Sequence, residues 1–141
     1  MLDRDAIARP IPHQGAMCLL DRVVSHDPEA ILCLAHSHTA LDNPLRNEAG
    51  LPITAGIEYA AQAIAVHAAL RRREGGPAGR GYLAVLSDVR WSRDRLDDIP
   101  GPLEVRAALL ADAGGGLQYR FSVGAAGAEP ALEGAQVIAR A

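Results

Sequence analysis

The chain has 141 residues and a mass of 14.8 kDa, the size of a single domain, with no room for a second catalytic module. Its 49% hydrophobic and 22% charged residues, mean hydropathy of +0.03 and net charge of −3 at a pI of about 5.9 fit a globular protein with its own core. They disfavour disorder, a bilayer span and nucleic-acid binding as the main task. All 14 basic residues are arginine, which excludes a Schiff-base lysine, a lysine general base and a Walker A lysine.

The opening MLDRDAIARPIPHQG has two acids among its first five residues and no apolar run, so it does not read as a secretory signal, and a cytoplasmic location is expected. Cys18 and Cys33 then read as free thiols. Residues 17–27 and 30–38 are apolar runs around the turn-prone Asp27-Pro28-Glu29, which predicts a β-hairpin whose first strand ends near Ser25. Residues 39–52 form a loop long enough to expect a functional role. Thr54 can cap a helix from about Ala55 to Glu74, stopped by Gly75 and Gly76. Its Ala, Ile, Val and Leu content implies that most of its circumference is covered. Four strand patterns follow, within 82–92, 103–113, 117–127 and 131–140, separated by Pro100-Gly101-Pro102 and by glycine-rich turns. The order ββαββββ predicts one α+β domain over residues 1–141, an antiparallel sheet with the helix on one face.

A sheet curling around one long apolar helix describes the hotdog fold. IPHQGAMCLLDRVV at 11–24 and LPITAGIEYAAQ at 51–62 resemble the opening motif and the central-helix start of the FabZ-type 3-hydroxyacyl-acyl carrier protein dehydratases. Among these the chain looks most similar to the ApeP-like dehydratases of aryl-polyene clusters. The resemblance implies a carrier-bound 3-hydroxyacyl thioester as substrate, an acyl carrier protein as partner, a homodimer or a heterodimer with a related dehydratase, and neither cofactor nor metal.

Dehydrating such a thioester needs a group that takes the α-proton, one that protonates the leaving hydroxyl, and donors on the thioester carbonyl. Glu58, an acid early in an apolar helix, is the candidate acid/base; the plainer reading is a carboxylate satisfying helix-start N–H groups. Gln62, four residues on and so on the same face, can orient it. Gly56 costs helix stability and implies close approach of backbone or substrate; the resemblance gives the amide near it the role of polarising the carbonyl. Gly56, Ile57 and Gln62, with Asn43 and Pro44 of the loop, are the candidate substrate contacts.

One departure stands out. The family carries a Gly-His-Phe-Pro motif whose histidine lies fourteen positions before the glutamate, and here that position is Pro44, in a segment, ALDNPLRNEAG, without histidine. A carboxamide such as Asn43 or Asn47 does not titrate near neutrality and cannot replace imidazole. His13 is the first candidate substitute, although the resemblance gives its Pro-His motif a mainly structural role. His36 and His38, two apart on the second strand, would share a face, but no third metal ligand accompanies them. His67 lies about 180° from Glu58 around the helix and reads as a core or interface residue, and His26 as a turn residue. Asp21 is expected to pair with Arg22 or a neighbour. Arg71, Arg72 and Arg73, with Arg80, Arg90, Arg93 and Arg95, are the candidate docking surface for an acidic carrier protein and its phosphopantetheine phosphate; a solvated helix end and sheet edge is the alternative. On these residues the expected function is dehydration of carrier-bound 3-hydroxyacyl groups, with a catalytically weak heterodimer partner or a hotdog thioesterase as alternatives.

Overall fold

Strand periodicity builds the sheet. In the C-terminal half, Leu117, Tyr119, Phe121 and Val123 are buried while Gln118 and Arg120 face solvent, the two-residue period of a strand with one face on a core. Leu103, Val105 and Ala107 repeat the pattern one strand earlier. The computed structural model describes residues 3, 4, 7, 17–73, 81–113 and 115–140, and of residues 72, 73, 81–84 and 140 the backbone alone. Its elements are β1 (Arg22–His26), β2 (Ala30–Ala35), a 3-10 turn (Ser37–Thr39), α1 (Ala55–Arg73), β3 (Gly81–Trp91), β4 (Leu103–Ala113), β5 (Gly116–Ala125) and β6 (Leu132–Arg140). The strands form one antiparallel sheet in the order β1-β2-β4-β5-β6-β3, and α1 packs on its inner face against β2, β4 and β5. This is the α+β hotdog arrangement that the sequence predicts.

The helix starts where expected, but backbone carbonyls cap it. The N–H groups of Ala55, Gly56 and Ile57 donate to the carbonyls of Pro52, Ile53 and Thr54 at 3.0, 3.0 and 3.1 Å, a 3-10 lead-in that satisfies donors a helix start leaves open. Tyr59, Ala60, Ala63, Ile64, Val66 and His67 are buried. Ile57, Glu58, Ala61, Ala65 and Ala68 stay half-buried and fall within an arc of about 100°. Before its last turn, where Leu70 and Arg71 are also half-buried, a single chain therefore covers all but one stripe of α1.

Two local expectations are corrected. The first strand begins at Arg22, because Met17 and Leu19 take their hydrogen bonds elsewhere: Gln62 Nε2 donates to the Met17 carbonyl at 2.7 Å, Leu19 N–H to Gln62 Oε1 at 2.9 Å, and Ser37 Oγ–H to the Leu19 carbonyl at 2.7 Å; only Asp21 N–H, next to the strand, reaches the Leu34 carbonyl of β2, at 2.9 Å. The second strand ends at Ala35, so His36 and His38 do not share a strand face. The 3-10 turn leaves His36 exposed and buries His38, whose Nε2–H donates to the Ile99 carbonyl at 3.0 Å. Cys18 and Cys33 are buried free thiols, and burial pushes the Cys33 thiol up to about 12.

The two sheet edges are β1 and β3. Along β3 the register with β6 shifts between Ser87 and Arg90, where Asp88 adopts a φ of 53°, the extra residue of a β-bulge. Val85, Leu86 and Trp91 of this edge are 51%, 40% and 55% exposed.

Candidate active site

The first two turns of α1 carry Glu58 and Gln62 on one side. Gln62 is 1% exposed and fully used: beside its bonds to Met17 and Leu19, its Nε2 approaches Glu58 Oε1 at 3.4 Å. Glu58, half-buried, sits at the border of the uncovered stripe. The expected partnership of these two residues is therefore present, and Gln62 also fixes the segment arriving from the N-terminus beside the carboxylate. His13 lies outside the described residues.

On the neighbouring face of the helix, Tyr59 anchors the loop. Its hydroxyl meets Ser37 Oγ at 2.7 Å and accepts from Asn43 Nδ2 at 3.1 Å, while Asn43 also donates to the Ser37 carbonyl and accepts from Leu45 N–H, both at 2.9 Å. Burial raises the Tyr59 pKa and these partners oppose the rise. All the bonds of buried Asn43 are thus made within the fold, and Pro44 beside it is exposed. The rest of the loop is clipped down by Asp97, whose side chain is 6% exposed. Its carboxylate takes two hydrogen bonds from Arg95 at 3.0 and 2.7 Å and one from Leu51 N–H at 3.0 Å, with Arg46 at 3.6 Å. The Arg95 guanidinium holds this carboxyl well below the usual range. Gly50, at a φ of 119°, lies so close that a Cβ there would come 2.5 Å from Asp97 Oδ2.

Gly56 makes room for the sheet: a Cβ at this position would come 2.5 Å from Leu132 Cδ2 of β6. Its N–H is spent on Ile53, as above, so polarising a carbonyl would require trading that bond. One residue on, the Ile57 carbonyl accepts from Gln136 Nε2 of β6 at 3.2 Å. Leu86 and Trp91 of β3 stand opposite Gln136 and Leu132 in the ladder, so they point to the same inner face. The first turn of α1 thus lies against β6, with Leu86 and Trp91 of β3 partly exposed at the neighbouring sheet edge. Sequence reasoning missed this corner; its one legible signal is Gln136, a polar residue in step with Leu132 and Ile138 on the inward side of β6.

The remaining candidates lie apart from this corner. His67 is 1% exposed, donates from Nε2 to the Asp27 carbonyl at 2.8 Å and accepts at Nδ1 from Tyr119 O–H at 2.7 Å. Burial, aided by Arg71, lowers its pKa, so it is a neutral core histidine. Asp21 pairs with His36 Nδ1 at 2.5 Å and Arg4 at 3.5 Å rather than with Arg22. Arg71 bonds Asp112 at 3.1 Å, Arg90 meets Glu133 at 3.2 Å and Arg93 meets Asp98 at 2.8 Å; Arg80 and the side chains of Arg72 and Arg73 lie outside the described residues. Among the described residues no group of three or more His, Cys, Asp or Glu is placed to hold a metal, and no helix is long and apolar enough to cross a membrane.

A family model described as ApeP dehydratase, ApeP-like, matches residues 5–139. No functionally curated protein matches the sequence. Among solved structures, the dehydratase heterocomplex ApeI:P from Xenorhabdus doucetiae is similar with a TM-score of 0.81 and 23% identity, over 96% of this chain and 90% of that one. The E. coli PaaI protein from the phenylacetic acid degradation operon gives 0.68 at 12% identity, over 97% and 89%. The zebra fish thioesterase superfamily member 2 gives 0.66 at 12% identity, over the full length of both chains. At these identities the neighbours establish the shared fold.

Proposed function

The chain belongs to the ApeP-like dehydratase family, and on that premise we propose that it forms one half of a dehydratase pair. The pair acts on carrier-bound 3-hydroxyacyl thioesters in fatty-acid or aryl-polyene (polyketide) type synthesis, with Glu58 as acid/base. Dehydration breaks the C2–H and C3–O bonds, forms the double bond between these carbons and releases water, so one group must take a proton and one must give it. The carrying observation is the placement of Glu58: braced by Gln62, half-buried, and facing the stripe of α1 that this chain leaves open. A second hotdog chain laid along β3 and that stripe would cover Leu86 and Trp91, enclose an acyl channel beside α1 and bring its own loop histidine to Glu58. The heterocomplex assembly of the X. doucetiae neighbour supports this pairing. The carrier's phosphopantetheine would enter past the arginines at the end of α1.

A second reading keeps both groups in one chain. Gln62 holds the Met17 carbonyl beside Glu58, and His13 precedes Met17 by four residues, about 14 Å of extended chain at most.

The test is to incubate the purified protein, alone and with a histidine-bearing hotdog dehydratase, with a 3-hydroxyoctanoyl carrier thioester and follow the mass. Loss of one water only in the mixture supports the paired site. Loss of water by the chain alone, abolished in His13→Ala, favours the single-chain site. Release of free acid identifies a thioesterase and rejects both.

A further inference from the structure

The outer face of the sheet, away from α1, carries a depression of about 500 Å³, within the size range of small-molecule sites. Its floor is low because short side chains meet there: Ala30 of β2 stands opposite Ala108 of β4, and Ser122 of β5 lines the same hollow. Longer side chains rise around it. Arg106 stands between Leu32 and Ser122 across the ladder, and Arg120 stands opposite Ala108. The two arginines, both exposed and both lining the depression, are therefore diagonal neighbours on adjacent strands. Such positions are about 7–8 Å apart, within reach of long side chains.

The charge of this pair is met only in part. Arg106 reaches Glu104 at 3.3 Å, and Arg120 has no partner among the described residues. The acids of the depression are already engaged: Asp27 Oδ1 accepts from the N–H groups of Glu29 and Ala30, both at 2.8 Å, and Glu133 meets Arg90 at 3.2 Å. In a chain of net charge −3, the hollow is thus a local concentration of positive charge. Neighbouring like charges on a sheet are destabilising, and an anion between them removes the repulsion. We infer that the depression binds the phosphate of a small phosphomonoester, held between Arg106 and Arg120 with the Ser122 hydroxyl as a third donor. Two guanidinium forks and a hydroxyl match the three oxygens of a phosphate dianion, whereas the two oxygens of a carboxylate are filled by one fork. Leu32 and Pro130 on the walls offer apolar surface to the body of the ester. The site lies across the sheet from Glu58 and does not rest on the dehydratase reading.

Calorimetry on the full chain at low ionic strength, with phenyl phosphate, inorganic phosphate and benzoate as probes, tests the site. Phenyl phosphate is expected to bind one per chain, more tightly than inorganic phosphate and about tenfold more tightly than benzoate. Arg106→Gln and Arg120→Gln should each weaken it about tenfold with the thermal midpoint unchanged, because both side chains are exposed. Arg22→Gln, which alters an exposed arginine of β1 outside the depression, should leave the affinity as it is. In the unsubstituted protein, phenyl phosphate should move the amide resonances of Ala108 and Ser122. Equal affinity for inorganic phosphate would assign the hollow to the free ion and overturn the ester. No saturable binding up to about 10 mM, benzoate binding as tightly as phenyl phosphate, equal weakening by Arg22→Gln, or resonance shifts confined to other residues each overturn the inference. All of these outcomes leave the dehydratase reading standing.

Discussion

Gln62→Leu tests whether one side chain holds the N-terminal segment beside Glu58. The substitution keeps the volume but leaves Leu19 N–H, in a residue that is 0% exposed, and the Met17 carbonyl without partners. An unmet buried donor costs about 1–3 kcal/mol; the carbonyl of half-buried Met17 costs less, because water can reach it. The sum is about 2–4 kcal/mol, which at about 2–4 °C per kcal/mol for a chain of this size lowers the thermal midpoint by about 5–15 °C. Gln62→Glu provides a control whose sign depends on pH. Its carboxylate still accepts from Leu19, but when ionised it faces both the Met17 carbonyl and Glu58, placed 3.4 Å from the native amide. Its folded-state pKa is therefore raised above the unfolded value. The variant should be most stable below about pH 4 and lose stability as pH rises through the carboxylate range. Circular-dichroism melts at several pH values read both effects. A Gln62→Leu midpoint within a degree of the original, or a Gln62→Glu variant with the pH profile of the parent, would refute the bracing role.

Asp97→Asn should release the loop clip, with a loss of about 1.5–3 kcal/mol in chemical denaturation. Because the Asp97 pKa is depressed in the fold, its contribution is present above the unfolded value near 3.9 and disappears as pH falls below it, so parent and variant should converge in acid. His67 is held neutral, its pKa depressed from 6.5; the unfolded chain therefore binds the extra proton first, and this contribution is complete above about pH 6.5 and shrinks as pH drops. Tyr119→Phe, which strands His67 Nδ1, should cost about 1–2 kcal/mol, measured by urea unfolding at pH 8.

Much of this fold is written locally. The start of α1 follows from an alanine-rich run after Pro52, and the inward sides of β4 and β5 from strict alternation. What the sequence hides is bonded at long range. Met17–Leu20 reads as strand because its side chains are apolar, yet Gln62 and Ser37, 45 and 18 residues away, take the backbone groups of Met17 and Leu19. His36 and His38 read as a pair only while β2 is assumed to continue; the 3-10 turn at Ser37 sends one to solvent and one to the core. Asp97 was invisible as the clip of a loop 46 residues earlier. Glu58, Gln62 and Gly56 were legible because helical spacing alone puts the first two together and makes the glycine costly.

The central claim is that the carboxyl group of residue 58 carries protons during dehydration. The direct measurement is the rate of water loss from a 3-hydroxyoctanoyl carrier thioester by the active assembly with Glu58→Gln, an isostere that can still bond Gln62. The account predicts a fall of at least about 100-fold with assembly and melting unchanged, whereas water loss at the parental rate would contradict it.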